Sequence, residues 1–384
     1  MVSRADVAVV GLGAAGSAAL LALARRGVRA IGFDRFSPPH PLGSTHGRSR
    51  IIREAYYESP VYVPLVQAAY EAWHRIEHDA GRRLLQITGG VMLGSPENAL
   101  IQGTLRSALE HRLPHELVDT SALRRRLPAF LIPDATAGVW EPRAGILDPE
   151  ACVTSCLELA ERAGAELRLN ARVTGWARLG DGIRLDTMAG PLECGRLILA
   201  AGPWMAELCG DLQLPFTVER QVMAWFAPTP RAPFLTASLP VFIWEWERER
   251  SFYGIPDQGE GFKVARHHDG DATTPDTVER MVTPADVAAL RALLRRFIPA
   301  ADFPPTDAVT CLYTNTPDRH FLIGPHPYEP RVLLASPCSG HGFKFASAVG
   351  EVLADLAIEG ESRFDLSPFD PGRFMTRASG HPPA

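Results

Sequence analysis

The 384 residues are 46% hydrophobic and carry a formal net charge of −5 from interspersed acids and bases, a length beyond one simple core, so two domains are expected. The scattered charge excludes a nucleic-acid surface or polyanionic tail, and with no apolar run long enough to span a bilayer and Asp6 just ahead of the first apolar stretch, neither a membrane span nor a signal peptide is expected. Six cysteines without Cys-x-x-Cys spacing fit reduced thiols in a cytoplasmic protein with no metal centre.

Val7-Ala8-Val9-Val10 reads as a buried strand, Gly11-Leu12-Gly13-Ala14-Ala15-Gly16 as a tight turn opening an apolar helix, and Ala30-Ile31-Gly32-Phe33 as a second strand ending at Asp34. This is a dinucleotide-binding unit. Gly11 permits the turn, Gly13 lets backbone approach a pyrophosphate, Gly16 lets the helix pack close, and Asp34 is placed for a ribose diol. Downstream, Ser44-Thr45-His46-Gly47-Arg48-Ser49-Arg50-Ile51-Ile52-Arg53 sets three arginines around an apolar pair. Arg50 and Arg53 would share a face on a helix or tight turn; a solvated basic patch is the plainer reading, which Ile51-Ile52 opposes.

A different texture follows over 81–139, with strand-like Gly89–Gly94 and the basic helix Ser121–Arg126. Strands return at 165–170, 172–176 (which contains Val173), 182–187 and 195–202, the last running through Ala200-Ala201-Gly202 into a helix from Pro203. Between 213 and 309 lie alternating strands such as Val222–Phe226, Val241–Glu245, Phe252–Pro256 and Gly261–Val264. Near the C-terminus, Val332–Ser336 and Ser339-Gly340-His341-Gly342-Phe343-Lys344 repeat the strand, glycine turn and helix. The expected organisation is an α/β nucleotide-binding domain from 1–80, 140–212 and 310–384, with 81–139 and 213–309 as an inserted, mainly antiparallel second domain.

On its own pattern Cys311 is a buried cysteine at a strand start, Lys263 an outward lysine on an alternating strand, and Lys344 a lysine snorkelling between aromatics. Tyr253 and Tyr313 read as ordinary strand aromatics, and Trp225, Trp244 and Trp246 as a core or a larger pocket wall.

Taken together, the glycine turn, the Ser44–Arg53 segment, Phe252-Tyr253-Gly254-Ile255-Pro256, Cys311-Leu312-Tyr313-Thr314 and Ser339–Lys344 occur in one order over about residues 5 to 370. In this the chain resembles the monomeric sarcosine oxidase and N-methyltryptophan oxidase group of FAD-dependent amine oxidases. The resemblance implies a glutathione-reductase-like FAD domain with an inserted antiparallel substrate domain. It implies FAD joined through its 8α-methyl to the sulfur of Cys311, with Cys338 structural. Gly11, Gly13, Ala14, Ala15, Gly16, Asp34, Ser44, His46, Arg50, Val173, Gly340, His341, Gly342 and Lys344 would complete the cofactor site.

The same resemblance assigns Arg53 and Lys344 to a substrate carboxylate, a task that suits a planar guanidinium fork. Lys263 would lie over flavin N5 as a fixed charge that favours oxygen reduction. His267 would stand near the substrate amine, with Tyr253 and Tyr313 lining the pocket. Lys263, His267, Tyr313 and Arg50 are the expected catalytic residues. Ala265-Arg266 departs from the glycine and aromatic residue usual there, which alters the local pocket.

The implied reaction takes a secondary amino acid, sarcosine or another N-methyl amino acid, to an imine that hydrolyses, while dioxygen becomes hydrogen peroxide. The expected partners are that amino acid and dioxygen, and the expected state is a monomer. A dehydrogenase with another acceptor, an oxidase of proline or pipecolate, an NAD-dependent enzyme and a flavin-stabilised assembly subunit stand as alternatives.

Overall fold

Ser3–Val10 is a strand with parallel neighbours on both sides, Leu192–Leu199 and Ala30–Phe33. A strand paired in this way and covered on both faces must be apolar throughout, which Val7-Ala8-Val9-Val10 provides. The computed structural model describes residues 3–375, and this strand is the centre of its eight-stranded sheet. Glu166–Arg168 extends the sheet in parallel from Ala30–Phe33, and Glu329–Ser336 pairs in parallel with Leu192–Leu199. Val173–Leu179 and Gly182–Thr187 add an antiparallel edge. The helix Ala14–Arg25 packs against Ala346–Ile358 and Pro149–Arg162. A side chain at Gly350 would lie 2.5 Å from the carbonyl carbon of Ala18, so glycine sets how closely the first and last of these helices approach.

The second sheet has nine strands. Thr217–Phe226 pairs antiparallel with both Phe262–His267 and Pro305–Asn315, and the only parallel pair recorded among its described strands joins Val241–Glu247 to Gly90–Gly94. Phe234, Phe242, Trp244, Phe252, Phe262 and Phe297 fill the core on one face of this sheet. A small third sheet joins Arg50–Ile52, Gly145–Leu147 and Leu85–Ile87.

Several expectations meet a different local structure. Arg50–Ile52 is a strand, so Arg50 and Arg53 do not share a helical face; Arg53 follows the strand's end. Cys311 lies in the middle of Pro305–Asn315 rather than at a strand start, because pairing with Thr217–Phe226 continues from Pro305 to Asn315. The expected break at 309/310 falls inside that strand, and the break at 139/140 falls inside Ala137–Glu141. The helix expected from Pro203 is one 3₁₀ turn, Gly202–Trp204, followed by Met205–Leu208. The outermost expected bounds, 1–2 and 376–384, lie outside the described residues.

Candidate active site

One cavity begins at the glycine turn and extends to the second sheet, with Gly13, Asp34, Val173, Cys311, Tyr313 and Lys344 in its wall. At its nucleotide end the glycines have steric reasons. Gly11 has φ +91°, and a Cβ there would lie 2.5 Å from the Ala200 carbonyl oxygen; a Cβ on Gly16 would lie 1.7 Å from the carbonyl oxygen of Gly11. Gly16 therefore packs the turn and does not itself line the cavity. Gly13, by contrast, meets nothing nearer than Thr45 Oγ1 at 3.5 Å, leaving room for a ligand. The helix behind it has no side-chain cap and no acid in its first turn, so its free N–H groups suit phosphate. Asp34 accepts hydrogen bonds from the Leu12 and Phe36 amides, both at 2.8 Å, which fixes its carboxylate at the cavity edge. Ala14, Ala15, Gly340 and Gly342 also line the space. Ser44 Oγ in the wall and His46 Nε2 nearby are buried without a hydrogen-bond partner. The open phosphate end, the fixed acid and the free Ser44 hydroxyl in the wall fit FAD.

Next along the cavity, Arg50 Nη2 lies 3.6 Å from Cys311 Sγ and donates to the Ser44 carbonyl at 2.9 Å. Burial pushes the Cys311 thiol up, while the charges of Arg50 and Lys263 pull it back. Lys263 is buried behind the wall rather than in it. Its ammonium donates to the carbonyls of Gly47 and Ser49, both at 2.8 Å, and stands 5.3 Å from the Trp225 ring centroid. Burial and then Arg50 hold its ionisation well below the usual lysine range. His46 also stands outside the lining, pushed down to about 3 by burial and Arg50. Glu150 accepts the Gly47 and Arg48 amides and so anchors this loop; Arg48 turns outward to pair with Asp307.

At the far end Arg53 and Lys344 line the same cavity, and a third charged group, Glu58, lines it with them. Arg53 Nη2 donates to both oxygens of Glu58, at 2.9 and 2.7 Å, and Nη1 donates to the Ala55 carbonyl at 3.0 Å. Lys344 Nζ donates to the His341 carbonyl at 2.6 Å and to Tyr56 Oη at 3.3 Å. Burial and the charge of Arg53 push Lys344 down to about 7. Burial would raise Glu58, yet the charges of Arg53 and Lys344 and the Arg53 hydrogen bond hold its carboxyl below the usual value. His341 is kept neutral, pushed down to about 3 mainly by burial, and its Nδ1 meets Tyr56 Oη at 2.6 Å. Arg53, Glu58, His341 and Lys344 all line the cavity.

His267 Nδ1 lies 3.2 Å from Tyr313 Oη, and Tyr253 faces the same ring edge-on at 6.5 Å. All three line the cavity, as do Ile51 and Ile243. Burial keeps His267 well below the usual imidazole range. Trp225 lies under Lys263, while Trp244 and Trp246 pack with the second sheet's core. Cys338 accepts the Thr314 amide at 3.4 Å. Among the described residues no group of His, Cys, Asp and Glu side chains is arranged to hold a metal ion, and no helix is long and apolar enough to cross a membrane.

Sequence reasoning missed Glu58, Tyr56, Glu141 and Glu150. Glu58 carries one weak signal, the second of two acids, after Glu54, that flank Ala55-Tyr56-Tyr57 just beyond Arg53. Glu141 ends an apolar strand and accepts the amides of Glu54 and Ala55, holding the backbone just beyond Arg53.

Residues 6–356 match the family described as FAD dependent oxidoreductase. The chain is 42% identical over 375 residues to a monomeric sarcosine oxidase of Streptomyces avermitilis, covering 96% of this chain and 97% of that protein. It is 33% identical over 372 residues to an N-methyl-L-tryptophan oxidase of Yersinia pestis, covering 96% and 99%. The solved structure of NikD, an amino acid oxidase essential for nikkomycin biosynthesis, superposes with a TM-score of 0.84 at 24% identity, over 96% of this chain and 98% of that one.

Proposed function

The chain belongs to the FAD-dependent oxidoreductase family, and on that premise we propose that it oxidises a secondary amino acid, sarcosine or another N-methyl amino acid, with dioxygen as acceptor. Amine, dioxygen and water give aldehyde, the demethylated amino acid and hydrogen peroxide. The observation that carries this reading is the convergence of two buried cations, Arg53 and Lys344, with His267, Tyr253 and Tyr313 on the cavity that begins at the glycine turn.

The chain's own residues bind and orient. Arg53 exchanges the Glu58 carboxylate for that of the substrate, keeping a charge-assisted fork in either state. Lys344, near half-protonated at neutral pH, completes its charge as the anion arrives. Arg50, Arg53 and Lys344 together oppose a second cation, so the amine enters uncharged, its nitrogen facing the His267–Tyr313 pair. The chemistry supplied by bound FAD is two-electron oxidation at the carbon beside nitrogen and return of those electrons to dioxygen. Lys263, its Nζ held rigidly by two carbonyls behind the cavity wall, is the group we assign to favouring the return of electrons to dioxygen.

The reading includes a thioether from Cys311 to the flavin; its support is the Arg50 guanidinium beside the sulfur, which favours the thiolate. It also includes a cytoplasmic monomer, consistent with six unpaired cysteines. A peroxide assay with sarcosine, N-methyl-L-tryptophan, proline and pipecolate tests the whole. Peroxide with an N-methyl amino acid supports it. Flavin bleaching without peroxide points to a dehydrogenase, and no reaction with any amine removes the enzymatic reading.

A further inference from the structure

His267 ends the strand Phe262–His267, and the next side chain would ordinarily point to the opposite face of the sheet. His268 instead adopts φ +54°, the left-handed region. That turn brings its ring back against His267, with centroids 4.2 Å apart, and edge-on to Tyr313 at 5.4 Å. Both the His268 and Tyr313 rings rest on Gly340, where a Cβ would lie 2.9 and 2.7 Å from them.

Behind His268 stands one acid. Its Nδ1 is 3.7 Å from Glu219 Oε2, and both side chains are largely buried. The same Glu219 oxygen accepts from Asn315 Nδ2 at 2.7 Å and from Gln221 Nε2 at 3.3 Å, so the carboxylate is fixed from two strands. Burial would raise Glu219, but His268, Asn315 and the charges of His268 and Arg319 hold it ionised. The groups facing His268 are therefore His267 on its own strand, Glu219 on the neighbouring one, Tyr313 and Asn315 beyond, and His341 from the glycine turn, whose ionisation it disfavours.

We propose that His268, paired with Glu219, is a positioning residue of amine oxidation: it presses the His267 ring against Tyr313 and opposes a proton on it. The inference rests on the function proposed above for the reaction, though not for the pair itself. His267 held neutral and immobile presents the substrate amine with a hydrogen-bond partner that carries no competing charge. Once the pair is broken, His267 gains rotational freedom and loses the neighbouring imidazole that disfavours a charge on it.

His268→Asn is the variant to make, because asparagine tolerates the left-handed region while removing the ring. Two readouts are taken. The imidazole NMR signals of His267, assigned by their loss in His267→Gln, should begin to titrate about one pH unit higher than in the parent protein. The limiting rate of flavin reduction by an N-methyl amino acid should fall about tenfold or more, with inhibition by acetate changed far less than that rate. An unchanged His267 titration, or a reduction rate within about twofold of the parent's, overturns the proposal. If His268→Asn does not fold, Glu219→Gln leaves the ring and removes its acid, and the same two outcomes decide. Should the parent protein reduce its flavin with no amine, the proposed function fails while the NMR titration still decides the pair.

Discussion

Both carboxylate oxygens of Glu58 accept hydrogen bonds from a single guanidinium nitrogen of Arg53, at 2.9 and 2.7 Å, inside the cavity where an anion is proposed to bind. An internal carboxylate thus occupies the cation proposed for the substrate, and on that proposal binding exchanges one carboxylate for another. Glu58→Gln keeps the shape and removes the competing charge. Inhibition by acetate should tighten by about tenfold, the scale of a charge-assisted hydrogen bond. Equal inhibition constants in parent and variant would show that Glu58 does not compete.

Lys344 adds a pH dependence with a definite sign. Burial and Arg53 push its folded value down to about 7, below that of an exposed lysine. As pH rises through about 7 the free protein loses this charge, so acetate should inhibit less, and binding just above that pH should take up a proton. For folding the sign is opposite. The unfolded chain binds the proton more tightly, so between about 7 and 10 this group alone makes stability rise with pH. Lys344→Met should weaken acetate inhibition about tenfold and flatten its pH profile; a profile that keeps its slope would assign the titration elsewhere.

Glu141 anchors the backbone that follows Arg53. It is buried, accepts the Glu54 and Ala55 amides, and is pushed up to about 7 by burial. Glu141→Gln leaves only one acceptor for two amides. Urea unfolding should show a loss of about 1–3 kcal/mol, the cost of an unsatisfied buried donor. A change under about 0.5 kcal/mol, typical of surface substitutions, would mean that the loop does not depend on this residue.

The nucleotide end was legible because Gly11, Gly13 and Gly16 fall within six residues of one turn: Gly16 packs on Gly11, Gly11 on Ala200, and Gly13 leaves open space. The clamp was legible only in half. Arg53 and Lys344 could be matched to a family pattern, but Glu58 enters through the path of the backbone after Arg53, and Glu141 from a strand far along the chain. Cys311 was misplaced at a strand start because the length of Pro305–Asn315 is set by pairing with Thr217–Phe226, which no local pattern around Cys311 announces. His268 was passed over for a similar reason. A strand pattern points it away from His267, and only its left-handed backbone turns it back.

Lys263 has two roles to separate, because its ammonium binds the Gly47 and Ser49 carbonyls and also stands next to Arg50 and Cys311. Lys263→Met removes the charge and keeps most of the volume. Stopped-flow traces should show flavin reoxidation by dioxygen slowed at least about a hundredfold, the scale of removing one preorganised electrostatic group, with reduction by amine much less affected. Equal slowing of both half-reactions would confine Lys263 to holding the loop.

The most direct measurement is anaerobic mixing of the purified yellow protein with sarcosine or another N-methyl amino acid while the flavin absorbance is followed. Full bleaching, followed on admission of air by recovery of the colour and one hydrogen peroxide per amine consumed, is the predicted result. Colour that persists with every secondary amino acid would contradict an amine oxidase built on the Arg53–Lys344 clamp.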